Sequence, residues 1–300
     1  MGCGASTIVK YITLNEIRFP DYFNGDRADN ATRLLHRVAW NLHPNGCEEE
    51  RMDANLWIEL MRGALMKLFE FRHVLNDTNV YPTPDRDTGR NMMWTMRGGL
   101  LEVLKETETK LGETMKKFAK GTTQKWQGQG NSQTILTYFF WHFSQAMMAY
   151  ENATIDEFMA ALLKTGKKMY GALPRPKKGT MISVIKDSIQ ELAEEHKKSP
   201  LKKFAKLFDL WRIRTNKVLL KTPHNLMKDS KHILRRRGVL DSGGQGFAFI
   251  VEGMSHVLNA PHRLRSDMDY LGIQFVELPM ARVDDVFQNA ELTQGAMHVR

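Results

Sequence analysis

The chain has 300 residues, 42% of them hydrophobic, and a formal net charge of +9, which is enough for one large domain with a substantial core. No stretch approaches the ~20 apolar residues of a membrane-spanning helix; the longest, ILTYFFWHF at 135–143, is too short and holds a histidine. Two cysteines, Cys3 and Cys47, give neither a disulfide framework nor a zinc spacing, and no aromatic-basic interleaving or known module points to nucleic acid.

Residues 1–54 carry scattered turn signals, among them Pro20, Asn24-Gly25 and Pro44-Asn45-Gly46, with one helix expected around Ala31–Trp40. From Asp53 the apolar period becomes helical, with Leu56, Leu60, Ala64, Leu65, Leu68 and Phe69 spaced by threes and fours. A loop follows from Asn76 to Asp87, broken by Pro82 and Pro84. A second helix is predicted from Thr88 to Lys105 and a third over Leu111–Lys120. After a Gly/Gln/Thr-rich loop, a fourth, bulky and apolar, covers Ser132–Tyr150 and should be central. Thr154 caps a fifth that ends before Pro174 and Pro176. Thr180 starts a sixth, Ser199-Pro200 a seventh that Thr222-Pro223 ends, and an eighth runs from near Gln245 to Leu258. Ile273–Val276 is the one candidate strand, in an otherwise irregular tail over 261–300.

This order has a geometric consequence. Short loops make consecutive helices antiparallel neighbours. If 88–120 is two helices, the even-numbered ones all start at one end. Their leading segments are PDRDTG, GQGNS, KKGT and DSGGQG, each pairing glycine with a hydroxyl, amide or carboxylate. Converging backbone N–H groups and positive dipole ends make such an end an anion site.

Asp85 and Asp87, one residue apart in a loop, can both face one hard cation, with Asn79 or Asp77 as a further oxygen. The competing reading is that Asp87 caps the second helix and Asp85 is a turn residue. Gly128, Gly130, Asn131 and Ser132 can wrap phosphate, without the Gly-Lys-Ser/Thr of a Walker loop; a plain connector is the alternative. Asp241, Gly243 and Gly244 repeat the pattern, with a capped turn as their alternative. Met92, Met93 and Met96 read as core filler. Basic residues are densest at Lys164–Lys178, Lys197–Lys206 and Lys228–Arg237, as solvated faces or as attractors of phosphates, acidic partners or a membrane surface.

The runs LNDTNVYPTPDRDTGRNM (75–92), GQGNSQTIL (128–136), KKGTMISVI (177–185), LLKTP (219–223) and GVLDSGGQGFAFIVEGM (238–254) together resemble the nucleotide-binding domain of bacterial fatty acid kinase catalytic subunits, itself similar to the L subunit of dihydroxyacetone kinase (DhaL type). The resemblance covers about residues 55–258, between extensions at 1–54 and 259–300. It implies an all-α, antiparallel eight-helix barrel with ATP at one end. By resemblance, Asp85 and Asp87 would hold Mg2+ against the phosphates with Asn79 as a further ligand. Thr88, Gly89, Asn91, Gly128, Gly130, Asn131 and Ser132 would contact the nucleotide, and Gly179, Thr180, Asp241, Gly243 and Gly244 would complete the rim. Two departures stand out: the family has glycine where this chain has Arg86, and a loop like GARGNSG where this chain has Gly128-Gln129-Gly130-Asn131-Ser132-Gln133. Either Arg86 or Arg90 then supplies the charge lost from that loop by binding phosphate, or Arg86 competes with the cation and the site is degenerate.

The function this implies is ATP- and Mg2+-dependent phosphotransfer to a small hydroxyketone or a partner-bound acyl group, with Asp85, Asp87 and Arg86 at the chemistry. The alternative is a catalytically impaired nucleotide-binding or membrane-anchored scaffold. Family subunits continue into further C-terminal domains, so an acyl-carrying or substrate-binding partner protein is expected, and a homodimer is open. The N-terminus lacks a secretory signal, which with the cysteine usage suggests a cytoplasmic protein. Its MGCGAS start fits myristoylation at Gly2 beside a palmitoylatable Cys3, and two acyl chains would anchor it stably to a membrane.

Overall fold

The computed structural model describes residues 50–105, 110–123, 130–172, 176–227 and 232–259. The helix expected at Ala31–Trp40, the strand at Ile273–Val276, the tail over 261–300, Gly2, Cys3, Gly128 and Gln129 lie outside them. Within them the chain is all-α, apart from a two-residue antiparallel pairing of β1 (Arg51–Met52) with β2 (Ala153–Thr154).

Helix α1 (Ala54–Asp77) opens under a cap: the Asp53 carboxylate accepts the Leu56 N–H at 2.8 Å. Its Leu56, Leu60, Ala64 and Leu68 are buried as the spacing predicts. Helices α2 (Thr88–Val103) and α3 (Leu111–Thr122) are separate, which meets the condition for a shared end. Helix α4 (Asn131–Met147) is central: Phe139, Phe140 and Phe143 are buried, Phe140 and Phe143 meet Trp57 of α1 edge-to-face, and they likewise meet Phe118 of α3 and Phe158 of the next helix respectively. Such ring pairs add about 0.5–1.5 kcal/mol each beyond their burial. Helix α5 (Ile155–Ala172) starts on a reciprocal box, with Thr154 N–H donating to Glu157 Oε2 at 2.7 Å and Glu157 N–H to Thr154 Oγ1 at 3.3 Å.

Three boundaries differ from expectation for local reasons. After α6 (Met181–Lys198), the next helix α7 spans Phe204–Leu219 and does not start at Ser199. The Leu201 N–H donates to His196 Nδ1 at 3.0 Å, which holds the chain across the end of α6 before it turns. Thr222-Pro223 does more than end α7: with proline in its first turn it starts the short α8 (Thr222–Asn225). After α9 (Ile233–Arg237), helix α10 (Ser242–Asn259) begins three residues earlier than predicted, because Asp241 caps it through the Gly244 N–H at 2.7 Å.

Helices α1 to α7 each pack on their neighbours in sequence, and α10 packs on both α7 and α1, so the cycle of contacts closes. Among the described residues no helix is long and apolar enough to cross a membrane.

Candidate functional site

Four helix starts converge on one cavity. It has a volume of about 550 Å³ and takes walls from each leading segment: Asp85, Asp87 and Thr88 before and on α2; Gly130, Asn131 and Ser132 at α4; Thr180, Met181 and Ile182 at α6; Asp241 and Gly243 at α10. Asn79, Tyr81, Pro82 and Thr83 close the side beyond α1. Ile135 and Tyr138, further along α4, join Pro176, Met181 and Ile182 as an apolar wall.

The aspartate pair is set by its loop. Asp87 occupies the cap position of α2, with its carbonyl accepting the Asn91 N–H at 2.8 Å. Its carboxylate makes no cap hydrogen bond. The cap comes instead from Asn76, at the end of α1, whose Oδ1 accepts from Gly89 N–H at 2.8 Å and Arg90 N–H at 3.3 Å. Asp87 thus holds the cap position by its backbone, as one reading expected, while its carboxylate is not spent on the cap, and both Asp85 and Asp87 line the cavity. Between them Arg86 adopts φ 55°, the left-handed conformation that glycine takes at no steric cost. An arginine stands where the resembling family has glycine, yet the backbone keeps the glycine shape. Arg86 itself is exposed and off the cavity wall. Arg90 Nη2 lies 3.9 Å from Asp87 Oδ2, largely exposed.

Asp241 joins two helix starts. Its buried carboxylate accepts the N–H of Gly244 in α10 and of Met181 in α6, while burial pushes its carboxyl up to about 6 against those two hydrogen bonds. Nearby, burial and then the Asp241 charge push the Tyr81 phenol up. Thr180 stands at the start of α6 without capping it; its Oγ1 donates to Lys177 O at 2.8 Å.

Gly89, Asn91, Gly179 and Gly244 shape the site from behind and do not line it. Gly179, at φ 81°, packs against the Leu226 backbone, and Gly89 and Gly244 give their N–H groups to Asn76 and Asp241. Asn91 is 2% exposed, and neither Oδ1 nor Nδ2 has a hydrogen-bond partner. Sequence reasoning missed Asn76, Tyr81, Lys177 and Tyr138. Asn76 carried a signal, since an Asn in the last turn of a helix beside a Pro-broken loop offers an amide oxygen that can accept backbone N–H groups. Tyr138, 39% exposed on the central helix, carried no such signal.

The wall's charge is lopsided. Among the described residues it carries Asp85, Asp87 and Asp241 against one cation, Lys177. Among the described residues no group of three or more His, Cys, Asp or Glu side chains could hold a metal. Two carboxylates and the Asn79 amide are a partial oxygen set of the kind Mg2+ completes with water and phosphate.

A family model, the DAK2 domain, matches residues 82–256, a range that contains all four helix starts. The chain is similar to a protein of Staphylococcus saprophyticus described as uncharacterized, 29% identical over 212 residues, covering 69% of this chain and 36% of the relative. Two proteins of Staphylococcus aureus, from strains RF122 and USA300 and likewise described as uncharacterized, are 30% identical over 209 residues, with the same shares covered. The chain thus spans about a third of the length of these relatives. It belongs to the DAK2 domain family, and residues 82–256 are its dihydroxyacetone-kinase-like nucleotide-binding domain.

Proposed function

We propose that the cavity binds ATP with Mg2+ and positions its terminal phosphoryl group for transfer. The observation that carries this reading is the convergence of four helix starts around the Asp85–Asp87 pair, with the cap of α2 supplied by Asn76 so that Asp87 faces the cavity. N–H groups at the uncapped start of α4, with the dipole ends of α6 and α10, would hold phosphate oxygens. The apolar wall of Ile135, Tyr138, Pro176 and Ile182 suits the nucleobase. Asp85, Asp87 and Asn79 would hold Mg2+, which neutralises phosphate charge and bridges its oxygens. Since the wall's own charge is acidic, the nucleotide alone would be repelled, and binding is expected to need the divalent ion. The acceptor would be a small hydroxyketone or an acyl group brought by a partner protein.

Isothermal titration tests the reading. Mg-ATP should bind the wild type, EDTA should abolish binding, and Asp85→Asn with Asp87→Asn should lower affinity at least tenfold. Unchanged affinity in the double variant would sink the site assignment.

One observation favours a second reading, nucleotide binding without transfer: among the described residues no arginine lines the wall, Arg86 included. Phosphorylation of dihydroxyacetone or of a fatty acid, assayed with and without a candidate partner, separates the two. Turnover with either acceptor removes the second reading.

A further inference from the structure

We propose that Asn91 is a positioning residue that makes the site select ligands by their phosphate, because its buried amide completes its hydrogen bonds only when a phosphate group seats at the start of α4. The proposal rests on the nucleotide reading above and adds how phosphate is sensed there.

Asn91 lies in the first turn of α2, and its backbone is fully engaged: its N–H donates to Asp87 O at 2.8 Å and its carbonyl accepts from Thr95 Oγ1 at 2.8 Å. The side chain is not. It is buried, with no partner for Oδ1 or Nδ2. Of the buried threonine hydroxyls of these helices, those of Thr95, Thr122, Thr165 and Thr215 donate to a carbonyl one turn back, while that of Thr114, like the Asn91 amide, has no partner. An amide left with both donor and acceptor unmade is a cost to the ligand-free fold.

Its surroundings show where the cost is recovered. A Cβ on Gly130 would sit 2.7 Å from Asn91 Nδ2 and 3.8 Å from Ser132 Oγ. The amide therefore fills the notch that glycine leaves at the start of α4, between the aspartate-bearing start of α2 and the Gly130–Ser132 segment. That start of α4 has no side-chain cap, so its first N–H groups are available to an anion. A phosphate drawn onto them pulls this segment into its bound form, and the amide offers that segment one donor and one acceptor. A ligand without phosphate makes no such demand.

The test compares the wild type with Asn91→Leu, which is close in volume and apolar, by titration with Mg-ATP, Mg-pyrophosphate and adenosine and by thermal unfolding of the ligand-free protein. The expected result is a Tm raised by about 2–4 °C, affinity for Mg-ATP and Mg-pyrophosphate lowered about tenfold or more, and adenosine affinity unchanged. Asn91→Ala, which introduces no clash, should repeat the affinity pattern should the leucine fail to fold. A lowered Tm with unchanged affinities would make Asn91 a structural amide served by buried water and overturn the proposal. Equal losses for adenosine and ATP would make it packing behind the base wall and also overturn it. A wild type that binds none of the three ligands defeats the nucleotide reading together with this one; a wild type that binds, beside an unchanged variant, defeats this one alone.

Discussion

At the scale of single residues, two positions carry conformational or electrostatic cost at the site. Arg86 holds φ 55° between the two aspartates, where any Cβ costs about 1–2 kcal/mol relative to right-handed backbone. In an ordinary helix alanine beats glycine; here the order should invert. Arg86→Gly is expected to be more stable than Arg86→Ala by about 1 kcal/mol, read from urea midpoints, since glycine relieves the strain and loses part of that gain to unfolded-state entropy. Equal midpoints would show that the turn relaxes when the side chain shortens. Asp241 is the second position. Its carboxyl rises from 3.8 to about 6 in the folded chain, so between those values the native state binds more protons than the unfolded one. The contribution to stability is therefore fully present below about 3.8 and is lost as pH rises through about 6. The Tm difference between wild type and Asp241→Asn, followed from pH 4 to pH 7, should move steadily in favour of the variant. A flat difference would mean that the carboxyl titrates normally.

At the scale of elements, the start of α2 depends on a side chain from another helix. Asn76 serves two N–H groups of α2, so Asn76→Ala should cost about 1 kcal/mol, within the range for lost caps. It should also weaken Mg-ATP binding, because an uncapped α2 draws Asp87 back toward its own first turn. Asn76→Asp, which keeps the acceptor oxygen, should restore stability. If Asn76→Ala costs stability alone, the aspartates are positioned by their loop and not by the cap. This dependence also explains what could be read from sequence. The spacing of Leu56, Leu60 and Leu68, the glycine-led starts and the split between α2 and α3 were legible, because helix period and turn chemistry are local. Helix parity then brought four distant segments to one end without any knowledge of contacts. What could not be read were the interactions that cross elements. The Asn76 cap spans a loop, the His196 contact moves the start of α7, and the tie from Asp241 to Met181 joins α10 to α6. Asp87 was open between cap and ligand for the same reason, since its competitor for the cap lies 11 residues away, at Asn76.

At the scale of the whole molecule, the site exists because the helix cycle closes, and α10 closes it. The closing contact is a backbone approach: a Cβ on Gly253 would lie 2.3 Å from Gly63 O and 2.8 Å from Ala64 Cα, atoms that cannot move without shifting α1. At the other end of the same pair, Ser242 Oγ donates to Leu75 O at 2.6 Å, one residue before the Asn76 that caps α2. Spacing α10 away from α1 would therefore disturb Asp241, Gly243 and the cap together, although Gly253 is about 15 Å from Gly243 at 1.5 Å per residue. Gly253→Val is expected to lower stability by about 2 kcal/mol or more, as overpacking against backbone does, and to weaken Mg-ATP binding as well. Gly166→Ala, within α5, is the control. Its Cβ would meet only Ile189 Cδ1 and Lys186 Cα at 3.8 Å, so it should stabilise the fold by about 0.5–1 kcal/mol and leave binding unchanged. A Gly253→Val protein that loses stability while keeping its full affinity would show that the four helix starts hold their cavity locally, with no help from closure at the far end of α10.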